Sequence, residues 1–289
     1  MTSSLSSTTP APDTRSDTGR DPLAERGPFR RLIVLTLAYV ALVSAVFLAF
    51  PGLDLWMSGL FHDATAGFWA TTDPLLMRLR ELGPFLVKVI AGASLAILLA
   101  ATVAPRLVAG LSLRAPLFLL STLALGPGLL VNAILKNNWG RPRPNSVEAF
   151  GGDAPFIGVW RITDHCATNC SFVSGEGSAS FWLVALAFLA PPAWRRGILL
   201  AVAPLFLALS LNRVAFGGHF LSDTMLAWGL TLLVILAVYA GLYRTAAGER
   251  IEARTRAGLA AFGAYIGALL TRAGRGLATR IDGFFAMFR

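Results

Sequence analysis

The 289-residue chain is 55% hydrophobic and only 14% charged, with a mean hydropathy of +0.63. A soluble domain carries about 25% charge, so the composition argues for a membrane-embedded protein. The net charge of +9 does not indicate a nucleic-acid binder: no nucleic-acid motif accompanies it, and the arginines gather between apolar segments, where membrane topology accounts for them.

Residues 1–30 are rich in Ser, Thr, Pro, Asp and Arg. They cannot bury enough apolar surface to fold, and a disordered cytoplasmic tail is expected. They do not read as a signal peptide, because the first apolar run begins only near Leu32 and continues too long. Six apolar runs follow, at about 32–50, 84–104, 115–135, 177–192, 197–212 and 221–243. Most approach the ~20 residues that cross ~30 Å of hydrocarbon, although the fourth and fifth are short. The expected fold is an all-α six-helix transmembrane bundle over residues 31–244. Residues 245–289 follow as a basic amphipathic cytoplasmic tail on the anionic inner leaflet, or as a solvated one.

Arginine placement sets the orientation. Arg26, Arg30 and Arg31 precede the first run, Arg106 and Arg114 follow the second, Arg195 and Arg196 follow the fourth, and Arg244, Arg250, Arg254 and Arg256 follow the sixth. Six crossings place all of these on the cytoplasmic side. The loops at about 51–83, 136–176 and 213–220 then fall on the opposite, non-cytoplasmic side. The stretch Asp54 to Phe61 in the first of these reads as a partly amphipathic segment at the headgroups or as a plain connection.

Three segments in those outer loops carry chemistry. In the first, Lys136 and Arg143 flank a stretch stiffened by Pro142 and Pro144, so an ammonium and a guanidinium can meet separate oxygens of one phosphate. A basic helix-end anchor is the plainer reading. In the second, Ser174 is placed to cap the fourth helix, Gly175 permits close backbone approach and Glu176 follows. The N–H groups there suit an anion, although a simple cap with a first-turn acid has the same sequence. In the third, Asn212 and Arg213 end the fifth run, and His219 and Asp223 stand four apart. On a helix that spacing lets Asp223 accept one imidazole N–H and leave the other nitrogen free to attack. A structural His–Asp hydrogen bond is the alternative.

The combination Lys-x6-Arg-Pro, Ser-Gly-x and Arg-x5-His-x3-Asp resembles the type 2 phosphatidic acid phosphatase superfamily over about residues 84–243. The resemblance implies that His219 is the nucleophile, forming a phosphohistidine oriented by Asp223. It implies phosphate binding by Lys136, Arg143, Arg213, Ser174 and the Gly175 backbone. No carboxylate cluster suited to Mg²⁺ accompanies these residues, so a metal-independent reaction without a cofactor is expected. The implied partners are the bilayer and a lipid phosphate: lipid A, phosphatidylglycerophosphate, phosphatidic acid or undecaprenyl diphosphate. The stretch from Asn169 to Glu176 is similar to bacterial lipid A 1-phosphatases in particular.

Two positions depart from the family pattern. Asn212 replaces the usual serine and can still donate to phosphate. Glu176 replaces the histidine that protonates the leaving group. A carboxylate beside a phosphate repels it, so Glu176 either carries a proton and serves as the acid, or the leaving group needs little help, or activity is lost. A lipid phosphotransferase, or an inactive lipid-binding scaffold, is the alternative function. Cys166 and Cys170 are close enough for a disulfide in an oxidising periplasm. Free thiols, or metal binding with His165, remain the other readings.

Overall fold

The computed structural model describes Leu23 and residues 25–286. The expected tail lies outside the described residues up to residue 22. The first helix, α1 (Arg26–Ala49), starts inside its end. The short helix α2 (Gly52–Gly59) follows, then a hairpin of β1 (His62–Asp63) and β2 (Gly67–Phe68). Next come α3 (Pro74–Val103), α4 (Arg114–Asn138), α5 (Gly175–Leu189), α6 (Pro192–Ala215), α7 (Leu221–Tyr243) and α8 (Ala246–Ala286).

Among the described residues, five helices are long and apolar enough to cross a membrane: α1, α3, α4, α6 and α7. The fourth apolar run, expected as one of six crossings, forms the shorter α5. At 1.5 Å per residue it is about 22 Å long, less than the ~30 Å of a hydrocarbon core. Pro191 and Pro192 turn the chain after it. The α5–α6 hairpin therefore returns to its starting level, and Arg213 at the end of α6 meets Glu176 at the start of α5.

Two elements depart from the hydropathy pattern for local reasons. α3 begins ten residues before the run expected at 84. The Asp73 side chain accepts the Leu76 N–H at 2.9 Å and Pro74 occupies the first helical turn, while Arg78, Arg80 and Glu81 interrupt the apolar run without ending the helix. In α4 the segment Ala124–Leu135 is π-helical around Pro127. Proline has no N–H to give, and Asn132 Nδ2 donates to the Pro127 carbonyl at 2.7 Å.

The core lies where α4, α5 and α7 meet. Phe118, Trp182, Ile235 and Leu236 are buried there. Small polar groups join these helices: Trp182 Nε1 donates to Thr122 Oγ1 at 2.8 Å, and the Ser178 and Thr231 hydroxyls lie 2.6 Å apart. Apolar side chains gain little from helix association in lipid, so such contacts and close packing carry the assembly. At the other end, α8 docks through Glu252, which accepts the Leu113 N–H at 2.8 Å and Arg114 Nε at 2.8 Å.

Candidate active site

The three sequence segments converge at one end of the bundle. The His219 imidazole is buried and precedes α7, which starts at Leu221. The helical i,i+4 stacking expected of His219 and Asp223 therefore does not apply, and the direct hydrogen bond is not formed: His219 Nδ1 lies 4.0 Å from Asp223 Oδ2. Its partner is the Ser171 carbonyl, at 2.8 Å. Nδ1 must carry the proton to make that bond, which leaves the Nε2 lone pair available. Burial, then the charges of Lys136, Arg213 and Arg143, hold the imidazole pKa well below 6.5, so the ring is neutral at pH 7.

Asp223 acts on His219 through Ser171. Its Oδ2 accepts the Ser171 hydroxyl, and it accepts the Phe220 N–H at 3.0 Å, the capping role of an acid in a first helical turn. Its Oδ1 accepts Arg141 Nη1 at 2.6 Å. Arg141 is fully buried and reaches Asp54 Oδ2 on α2 at 2.8 Å, the Ile157 carbonyl at 2.7 Å and Ser222 Oγ at 2.9 Å. Its guanidinium lies 4.4 Å from the centre of the Phe220 ring. Asp54 closes the network by accepting the Ser222 N–H at 2.9 Å and hydroxyl at 2.6 Å. Burial, partly offset by Arg141, raises the Asp54 pKa. Sequence reading passed over Asp54, Arg141 and Ser171. Arg141 stands inside the first segment, between Gly140 and Pro142, but nothing in the spacing names its partners.

The phosphate-binding candidates line the opposite wall. Lys136 Nζ donates to Asn169 Oδ1 at 3.1 Å, and Arg143 donates to both oxygens of Asn169 at 2.8 Å. Asn169, in the left-handed region at φ 53°, thus gathers the two cations of the first segment. Cys166 and Cys170 are disulfide-bonded around it, with Cα atoms 5.8 Å apart. Ser174 Oγ accepts the Gly177 N–H at 3.0 Å, the cap that the sequence predicts for α5. A Cβ at Gly175 would fall 2.5 Å from Asn132 Oδ1, so only glycine lets α5 start this close to α4.

Arg213 is buried, and its Nε and Nη1 donate to no group among the described residues. Nε does lie 3.0 Å from Glu176 Oε2, a charge contact whose angle does not serve a hydrogen bond. Glu176 Oε1 lies 3.8 Å from Arg80 on α3, a cation outside all three segments. Asn212 does not join this wall: its Nδ2 donates to the Leu76 carbonyl at 2.9 Å and ties α6 to α3. A cavity of about 280 Å³ opens here between α3, α4 and α5, lined by Arg80, Lys136, Gly175 and Glu176. A buried arginine with idle donors, beside two further cations and a helix N-terminus, suits a multiply charged oxyanion.

A family model described as the PAP2 superfamily matches residues 115–246. A lipid A 4'-phosphatase of Rhizobium etli is 34% identical over 227 residues, covering 73% of this chain and 87% of that protein. A lipid A 4'-phosphatase of Rhizobium leguminosarum is 34% identical over 211 residues, covering 68% and 90%. One from Francisella tularensis subsp. novicida is 34% identical over 217 residues, covering 73% and 96%. These names specify the 4'-phosphate, where the stretch from Asn169 to Glu176 suggested a 1-phosphatase. No solved structure matches.

Proposed function

This chain belongs to the PAP2 superfamily as a membrane lipid phosphatase, and from that premise we propose that it hydrolyses a phosphomonoester on lipid A, the 4'-phosphate by analogy with its relatives. The observation that carries the reading is Arg213: a buried guanidinium with two idle donors, against Glu176 of the cavity wall and close enough, with Lys136, to depress the pKa of the His219 imidazole. Idle buried donors are costly, and a phosphate in the cavity satisfies them.

In this reading His219 Nε2 attacks phosphorus in line. The P–N bond forms as the P–O bond to the lipid breaks. Lys136, Arg143 and Arg213 balance charge on the equatorial oxygens, where fixed donors are worth most. The imidazole becomes cationic on phosphorylation, and the Asp223 carboxylate at 4.0 Å stabilises it. The lipid alkoxide takes a proton from Glu176. Water then attacks the phosphohistidine, releasing inorganic phosphate and the free imidazole. Glu176 is the residue this scheme constrains most. Its carboxylate now sits against Arg213, and it must take up a proton when the phosphate arrives. No cation other than these side chains is required, and the reaction proceeds without a metal.

The membrane-length helices support an inner-membrane location, and the arginine pattern, with α5 and α6 paired as a hairpin that returns to its starting level, supports a site on the periplasmic side. The experiment is phosphate release from lipid A by purified protein in detergent with EDTA, and its inhibition by vanadate. No release, or release that requires an added divalent cation, would overturn the proposal.

A further inference from the structure

Lys136, Arg143 and Arg213 already supply the cations one phosphate needs, yet two more line the chamber that Lys136 faces. Arg80 and Lys88 both stand on α3, outside the three segments. Both line the 280 Å³ cavity, and both line a second of about 700 Å³ that shares Glu176 with it and runs along α3. The two cavities thus form one groove. Lys136 of the phosphate wall lines it beside Gly175 and Glu176, and its sides are apolar, with Pro84, Phe85, Val87 and Leu209.

Lys88 is the informative residue. It lies about one turn inside the apolar run that begins near Pro84, in a helix apolar enough to cross the membrane. It has no ion-pair or hydrogen-bond partner among the described residues. A cation at such depth is costly unless it faces a polar cavity or a ligand, and it marks a functional site by default. Its side chain opens on the groove, between the apolar residues of its walls. Side chains on a helix lean toward its N-terminus, so the Lys88 stem rises toward Arg80. Arg80 is itself half-exposed and only loosely held by Glu176 at 3.8 Å.

We propose that Arg80 and Lys88 form a second anion subsite. It takes a second anionic group on the same lipid whose phosphate is cleaved at the Lys136–Arg143–Arg213 wall. The enzyme thereby selects lipids whose headgroup carries two anionic groups over those that carry one. The inference rests on the lipid phosphatase reading only for where the first phosphate sits.

The test compares lipid A carrying phosphates at both ends with lipid A carrying the 4'-phosphate alone, for the parent protein and for Lys88→Met and Lys88→Arg. In Lys88→Met the KM for the two-phosphate lipid should rise about ten-fold more than that for the one-phosphate lipid, with Lys88→Arg near the parent ratio. Equal changes on both lipids, or no change on either, refute the subsite. Equilibrium binding of the same two lipids in a His219→Ala background separates this proposal from the hydrolase reading. Lys88-dependent preference for two phosphates without any phosphate release by the parent keeps the subsite and removes the hydrolase. Release without that preference does the reverse.

Discussion

The two walls of the site differ in how completely they are satisfied. On the His219 wall every strong group has a partner: Asp54, Arg141, Ser171, Ser222 and Asp223 are almost fully buried and bonded to one another. On the Arg213 wall, donors stand idle and the one carboxylate, Glu176, is partly exposed and unevenly held. The difference separates two duties. A nucleophile must be held before the substrate comes, and a closed network does that at the cost of burying charges. A phosphate site must be left open for its ligand, so its hydrogen bonds are completed only by binding.

If that division holds, substitutions on the two walls fail in different ways. The largest effect should come from His219→Ala, which removes the attacking nitrogen: turnover should fall by more than about 10³-fold while the protein still elutes as a folded species in detergent. Retention of a few per cent of activity would mean that another group attacks.

Next comes Glu176→Gln. Loss of a general acid costs about 10²–10⁴-fold, and the loss should be smaller on a diphosphate lipid, whose leaving group departs more easily without a proton. A variant as active as the parent on both lipids reduces Glu176 to a helix-capping acid.

The sharpest test of the comparison pairs Arg141→Met with Arg213→Met. Removing Arg141 strands two buried carboxylates and should cost about 3–5 kcal/mol, read as a lower melting temperature in detergent. Removing Arg213 takes away idle buried donors, so the melting temperature should hold or rise while KM for the lipid increases. Equal destabilisation by both would erase the distinction between the walls.

The pH profile gives a smaller signal. Burial and neighbouring cations hold the His219 pKa well below 6.5, so the attacking form persists as pH falls through the ordinary imidazole range. The acid limb of kcat/KM from this group should lie well below pH 6.5. The linked stability runs the other way: the unfolded chain binds that proton near 6.5 and the folded one does not, so stability drops as pH falls below 6.5. An acid limb centred on 6.5 that disappears in no cation variant would contradict the geometry. The smallest effect belongs to reduction of Cys166–Cys170. It loosens the loop that presents Asn169 and should raise KM a few-fold without stopping turnover.

Much of this was legible in the sequence where chemistry and spacing coincide. The Ser174 cap, the convergence of Lys136, Arg143, Arg213 and His219, and most helices followed from local pattern. Three things did not. The His219–Asp223 spacing implied a helix through both residues, but Phe220 is the N-cap and His219 lies before the helix. The polar Arg78, Arg80 and Glu81 hid the first turns of α3, because a hydropathy window cannot tell a groove-facing charge from a loop. Asp54, Arg141 and Asn169 act through partners on other elements, and one sequence carries no trace of such pairings.

The Asp54–Arg141–Asp223 chain also bears on how the protein is made. Arg141 is 87 residues from Asp54 and 82 from Asp223, so the three charges leave the ribosome well apart in time. On the outward orientation proposed here, each is carried across the bilayer in a different loop. An intermediate ending in the loop after α4 has Asp54 and Arg141 but neither Ser222 nor Asp223 to complete their bonds. The network therefore closes only when α7, the last of the membrane-length helices, is in place. A chain stalled before that point leaves Asp54 and Arg141 incompletely paired.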